Sequence, residues 1–482
     1  MIAFYLILLL PLLGALLMLI VGGLKISGYC NIIITAINFI ASIFVTSYFF
    51  HHGPFTAFGQ QFYVDAFNIL MILLTTFTTM TTAIFSNTYM WHNVEINRIS
   101  RKYLLFYHFM YQLFTLVVLI ALTTNNLGIL WVAMEGATLA TVLLVSMYHT
   151  KEAIEAAWKY FILSIVGIAL ALFGTILVYF SATQTLPQVD TRILWSVLVQ
   201  HANNFDPAII KLAFIFLLIG YGTKIGLVPL HNWLPDAYSE SPAPVTVLLS
   251  GLLSNVALYA LIRFKILVDI ALNNHLTGNL FIGFGLLSFI VAAVLLQRQR
   301  DIKRLFSYSS IEHIGLIAIA FGIGGKVATF VGLFYMLMHS LAKSAVFMIV
   351  GNVIQQTGTK TLEKIRGLIK SQPELGWGLI IATLVIAAMP PFGIFTSELM
   401  LFITCIKFSP FLAIILVIGL IIVLAGFLSN IQPVVYGDPT KIIQTRTCVL
   451  PAFLHLGLIF VFGIYIPATL HNLLQEAVKV VI

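Results

Sequence analysis

The chain has 482 residues, of which 60% are apolar and only 9% charged, with a formal net charge of +8 and a mean hydropathy of +1.03. A soluble domain carries about 25% charged residues, so this composition excludes a soluble globule and points to an integral membrane protein. Runs as continuous as 2–22 exclude an outer-membrane barrel too, because barrel strands alternate polar and apolar side chains.

About 20 apolar residues cross the hydrocarbon as a helix, and on that rule the chain reads as an all-α polytopic protein of about fourteen spans. The first three, 2–22, 29–50 and 62–85, form an N-terminal unit over 1–103. Residues 2–22 lack a basic n-region and a cleavage site, so they read as the first helix and not as a signal. Spans 104–123, 127–148, 158–181, 207–228 and 243–266 make a second unit over 104–266. Spans 276–297, 305–322, 326–354, 374–405 and 409–431 make a third over 276–431, and 448–470 closes the chain within 448–482. The connections are short, which leaves no soluble domain and no nucleotide-binding loop. Cys30, Cys405 and Cys448 lie far apart, a spacing that offers neither an iron–sulfur site, nor a zinc site, nor a disulfide framework.

Sixteen of the 25 lysines and arginines, Lys303, Lys441 and Arg446 among them, fall in odd-numbered connections. Seven, including Arg263 and Lys265, fall in even-numbered ones or the C-terminal tail. Positive charge collects on the cytoplasmic side. Odd connections are therefore expected in the cytoplasm and both termini outside, and the net charge reports orientation in a membrane rather than nucleic-acid binding.

Two basic residues remain, Lys224 and Lys343, and both lie well inside predicted spans. They join Glu135 in the fifth span and Glu398 in the twelfth, with Glu312 and His313 in the tenth and His339 one turn before Lys343. A charge at the bilayer centre costs about 2.5–3.5 kcal/mol on insertion scales. A single buried pair reads as a structural pin. Acids and bases on several helices with histidines between them read instead as a proton path, since buried groups can titrate near neutral pH. Proline punctuates the same places: Pro229 and His231 follow Lys224, and Pro390 and Pro391 precede Glu398. Proline removes a helix hydrogen bond, so the seventh and twelfth spans are expected to be broken, with freed backbone groups near the buried charges. Each break falls in the fourth helix of its five-helix unit. That layout is what inverted-repeat transporters show, and it makes spans four to eight and nine to thirteen the expected repeats.

Several segments carry a family resemblance: Thr223-Lys224-Ile-Gly-Leu-Val-Pro229-Leu-His231-Asn-Trp233-Leu-Pro235-Asp236, Met134-Glu135, Asp301-Ile-Lys303-Arg304, His339-Ser-Leu-Ala-Lys343 and Pro390-Pro391-Phe-Gly393. Together they resemble the antiporter-like membrane subunits of complex I, membrane-bound hydrogenases and multi-subunit cation/proton antiporters. The stretches Trp131–Thr138 and Ser309–Gly315 resemble component F of hydrogenase-4 within that family. The resemblance implies Glu135 and Lys224 as the input pair, His339 and Lys343 as the central couple, and Glu398 as the terminal group. Lys159 matches a lysine that some members carry beside the first pair, or is a surface lysine paired with Glu155. Two positions depart from the pattern. Asn255 stands where many members have an eighth-span lysine, so Glu312 and His313 are expected to take over the central step; Tyr238 replaces a usual histidine. The chain also stops at Ile482, without the long lateral helix of the distal complex I subunit.

These readings imply a proton-translocating subunit in a bacterial or archaeal cytoplasmic membrane, moving H⁺ through a Glu–Lys–His–Lys–Glu relay coupled to redox chemistry elsewhere. The chain itself is expected to hold no cofactor and no metal. Nickel–iron, iron–sulfur clusters or quinone would belong to partner subunits, and the partners would include further antiporter-like chains and lipid. Three alternatives stay open: transport of Na⁺ in place of H⁺, a non-redox antiporter or inorganic-carbon transporter, and a scaffold with a vestigial channel.

Overall fold

The protein, seen here in a computed structural model, is described over residues 1–186, 188–439 and 447–482; Lys441 and Arg446 lie outside the described residues. Among the described residues, twelve helices are long and apolar enough to cross a membrane, or thirteen if one sharply bent pair counts as a span. The leading helices α1 (Ile2–Val21) and α2 (Ser27–His52) are followed by a small antiparallel hairpin, β1 (Phe55–Ala57) with β2 (Phe62–Val64). Next come α3 (Ala66–Glu95), α4 (Arg101–Thr123), α5 (Leu127–Val145) and α6 (Lys151–Thr183). A short α7 (Trp195–His201) leads to α8 (Pro207–Ile225). Helices α9 (Leu234–Glu240), α10 (Ala243–Val247) and α11 (Ser254–Leu272) follow, with a π-helical stretch, Leu248–Leu253, joining the last two into one span. Then come α12 (Leu276–Leu296), α13 (Ile302–Ile323), α14 (Gly325–Thr357), a single turn α15 (Leu368–Ser371), α16 (Pro373–Ile386) and α17 (Gly393–Phe408). The chain closes with α18 (Pro410–Tyr436), α19 (Leu450–Ile464) and α20 (Ala468–Val481).

Three of the expected spans are corrected. The third starts at Ala66, because the Asp65 carboxylate caps the Phe67 and Asn68 amides in a capping box, which satisfies donors that a helix start otherwise leaves open; the residues from 62 belong to the hairpin. The twelfth is two helices, α16 and α17, neither long enough alone. The last is not one helix over 448–470: α19 ends before Tyr465, and α20 leaves at 79° after Pro467. Helix α20 turns Leu473, Leu474, Ala477 and Val478 inward against α3 and α14 and its polar residues outward, as an interfacial amphipathic helix does.

Both proline segments interrupt helices. Helix α8 stops at Ile225 with Gly226 left-handed at φ 90°, and Pro229 lies in the connection to α9. Pro390 and Pro391 lie between α16 and α17, and the Val228–Pro229 and Pro390–Pro391 bonds are both cis. At the first break, two backbone groups are taken up by side chains. Trp233 Nε1 donates to the Thr223 carbonyl at 2.8 Å, and the Val228 amide donates to Ser288 Oγ at 2.9 Å. A buried backbone group without a partner is costly, and these side chains supply the partners.

Glycine sets how closely the central helices pack. A Cβ on Gly285 would lie 2.6 Å from the Gly315 carbonyl oxygen, and one on Gly278 would lie 2.6 Å from that of Gly322. The two contacts are two helical turns apart on each helix, so α12 and α13 touch backbone to backbone along one seam. Small residues permit such approach in membranes, where apolar side chains gain little from leaving lipid. The seam leaves the opposite face of α13 to α14, α9 and α17, and His313, two residues from Gly315, lies on that face.

Candidate functional site

Lys224 sits in the last turn of α8, fully buried, and its Nζ donates to the Met134 carbonyl of α5 at 2.9 Å. Glu135, the next residue on α5, is half-buried and within electrostatic range of Lys224. Among the described residues the two do not meet as an ion pair, and one Glu135 carboxylate oxygen has no hydrogen-bond partner. The expected input pair is therefore adjacent but open. Lys159 does not join it. Its side chain is 48% exposed and bridges Glu155 at 2.8 Å and Asp236 at 3.2 Å, which favours the surface-lysine reading. His231 is buried in the connection after α8, with Nδ1 lacking a partner among the described residues.

The second cluster is more tightly joined. On α14, Tyr335, His339 and Lys343 recur every four residues, a spacing that stacks side chains on one helix face. His313 Nδ1 lies 2.6 Å from the Tyr335 hydroxyl, which donates to Glu398 Oε1 at 2.7 Å. With the hydroxyl's one proton given to a charged Glu398, His313 completes the chain by donating from Nδ1. Without the tyrosine the histidine is 3.7 Å from Glu398 and 3.6 Å from Glu312. The His313 and His339 rings stand 5.7 Å apart. Lys343 Nζ donates to the Phe306 carbonyl at 3.1 Å and to the Ser309 hydroxyl. Glu398 reaches this group because the break places it in the second turn of α17. Four of the expected residues, His313, His339, Lys343 and Glu398, thus come together with Glu312. Both oxygens of Glu312, both nitrogens of His339 and His313 Nε2 lack protein partners among the described residues.

Asn255 follows the π-helical stretch. Its Nδ2 donates to the carbonyls of Met336 at 3.1 Å and Gly251 at 3.3 Å, and Ser340 Oγ shares the Gly251 oxygen. A π turn frees a carbonyl from the helix ladder, and the amide side chain fills a role that a lysine ammonium would fill as a donor. Glu312, His313 and Glu398 also offer three ligand atoms within 4.8 Å of one another. Tyr335 already engages His313, and the Lys343 ammonium stands close by.

Sequence reasoning misses Tyr335, although its spacing from His339 and Lys343 signals it. It also places two further buried charges in loops. Arg263 lies inside α11 and meets Asp65 through both terminal nitrogens, at 2.7 and 2.8 Å, with its guanidinium 4.4 Å from the centre of the Trp195 ring. Lys303 lies in the first turn of α13, buried, with its Nζ on the carbonyls of Ser239 and Ser241. Lys265 is likewise on α11, paired with Asp269.

Residues 124–423 match the family described as the membrane subunits of NADH:quinone oxidoreductase and Mrp antiporters. A hydrogenase-4 component F homolog of Methylacidiphilum infernorum is 46% identical over 96% of both chains. A Na(+)/H(+) antiporter subunit of Bacillus subtilis is 29% identical, covering 58% of this chain and 55% of its own. Among solved structures, a chain of the archaeal membrane-bound sulfane sulfur reductase superposes with a TM-score of 0.88 at 24% identity, over 99% of this chain and 97% of that one. A chain of respiratory complex I from Thermus thermophilus superposes with a TM-score of 0.82 at 20% identity, covering 100% of both.

Proposed function

The chain belongs to the membrane-subunit family shared by NADH:quinone oxidoreductases and Mrp antiporters, and from that premise we propose that it translocates protons for an energy-converting hydrogenase. It is a multi-pass membrane protein of a prokaryotic respiratory or antiporter complex. The observation that carries the finer reading is the hydroxyl of Tyr335, held between His313 and Glu398. A hydroxyl both donates and accepts. When Glu398 is charged, Tyr335 gives it a hydrogen bond and accepts one from His313. When Glu398 is protonated, both bonds reverse. A paired shift along the two bonds, the His313 proton to the Tyr335 oxygen and the hydroxyl proton to Glu398, therefore moves one proton from the histidine to the carboxylate, and rotation of the hydroxyl resets the bridge.

In this scheme protons enter from the side of the odd-numbered connections, taken as cytoplasmic. Lys224, here on the Met134 carbonyl, alternates between that carbonyl and Glu135. Two unit charges about 4 Å apart at an effective dielectric near 20 interact by about 4 kcal/mol. That is on the order of a thousandfold in a protonation equilibrium, enough to switch a lysine from holding to releasing its proton. Lys343, His339 and His313 then relay to Tyr335 and Glu398 and outward. Nickel–iron, iron–sulfur clusters or quinone belong to partner subunits in this reading.

The test is proton uptake by liposomes holding the purified complex, driven by its redox substrate. Glu135→Gln, Lys224→Ala and Lys343→Ala should each lower proton movement at least tenfold; undiminished pumping in all three would overturn the relay. The Bacillus relative raises exchange without redox chemistry, and a preparation whose partners are antiporter-like chains alone would establish that instead.

A further inference from the structure

A cavity of about 210 Å³ opens between α9, α13 and the connections after α3, α5 and α14. Its lining includes Arg98, Glu152, Ser239, Glu240, Lys303 and Lys360. Lys303 is 3% exposed, yet it reaches this space, and among the described residues no carboxylate holds its ammonium: Nζ donates to the carbonyls of Ser241 at 2.6 Å and Ser239 at 3.2 Å. The surrounding charges keep to one another, Lys360 bonding Glu240 and standing 3.5 Å from Asp301. On its inner side, Lys303 is three residues before Phe306, whose carbonyl holds Lys343. That is about 4.5 Å of helix rise at 1.5 Å per residue. The turn that follows Phe306 is buried and hydroxylated. Ser307 Oγ donates to the Lys303 carbonyl at 2.6 Å, Ser310 lies one turn further, and Ser309 meets Lys343 itself.

We propose that Lys303 is the proton inlet of the central cluster, taking protons from this cavity and passing them along the Ser307–Ser310 turn to Lys343. The central lysine is then loaded directly from this face, and full proton movement needs this entry as well as the one through Lys224. No covalent bond is made or broken beyond N–H and O–H: each step moves one proton from a donor to the next acceptor. Lys303 can play this part because an ammonium releases a proton, whereas a guanidinium in a protein does not. The inference rests on the relay reading above.

That difference supplies the experiment, made on the whole complex in liposomes with redox turnover and proton uptake measured together. Lys303→Arg keeps the positive charge and the donors to Ser239 and Ser241, so a purely structural lysine tolerates it. The expected result is an intact complex with full redox turnover and at least a tenfold loss of protons moved per turnover. Ser307→Ala, which removes one hydroxyl without adding bulk, should lower the same ratio severalfold. If Lys303→Arg disrupts assembly, Ser307→Ala decides. Normal coupling in an assembled Lys303→Arg or in Ser307→Ala, while Lys343→Ala is uncoupled, overturns the inlet and leaves the relay standing. Normal coupling in all three, Lys343→Ala included, overturns the relay.

Discussion

Replacing Tyr335 by phenylalanine removes one oxygen and keeps the ring. The ring stays packed edge-on against His313, 5.7 Å between centroids, so the fold should lose little. The oxygen is another matter, because it makes hydrogen bonds of 2.6 and 2.7 Å to His313 and Glu398. Without it the remaining separation is 3.7 Å, beyond the roughly 2.6–3.2 Å over which a proton passes directly. A hydrogen bond to an ionisable partner is worth about 1.5–3 kcal/mol. If that amount is added to the barrier, transfer slows about ten- to hundredfold, at 1.36 kcal/mol for each factor of ten. The assay is the initial rate of proton uptake by liposomes holding the complex, divided by its redox turnover. A Tyr335→Phe complex that moves as many protons per turnover as the unmodified one refutes the bridge. Glu398→Gln in the same assay shows whether the route fails only at the tyrosine.

Three further outcomes follow from the packing and the charges. Asp65→Ala strands the Arg263 guanidinium in the interior, and breaking a buried pair costs about 3–5 kcal/mol; the melting temperature should fall while the folded fraction keeps its coupling. Lys159→Ala removes an exposed pair worth less than about 1 kcal/mol and should leave proton uptake unchanged; a tenfold drop would return this lysine to the relay. Gly315→Ala pushes a methyl to 2.6 Å from the Gly285 carbonyl oxygen, and overpacking of this kind costs about 1–3 kcal/mol. Lower thermal stability together with slower pumping is expected, since the α12–α13 seam positions His313; unchanged values for both would show that the seam can give.

Hydropathy, proline and buried charge were enough to establish a helical membrane protein, its two broken helices and most of the ionisable residues that gather inside it. Those signals are local: an apolar run must cross lipid, a proline must end a hydrogen-bond ladder, and an ion in such a run needs a reason to be there. Tertiary structure decided which charges meet. Arg263 and Lys303 looked like loop residues because a span's ends blur over several residues in sequence, and only packing shows that each is enclosed. Glu135 and Lys224 looked like a pair, but reach and rotamer place Lys224 on a backbone carbonyl. Tyr335 looked like one more aromatic in an apolar helix. Its hydrogen bond to Glu398 appears only because the α16–α17 break brings that carboxylate to its hydroxyl, a meeting of residues 63 positions apart that no local pattern encodes.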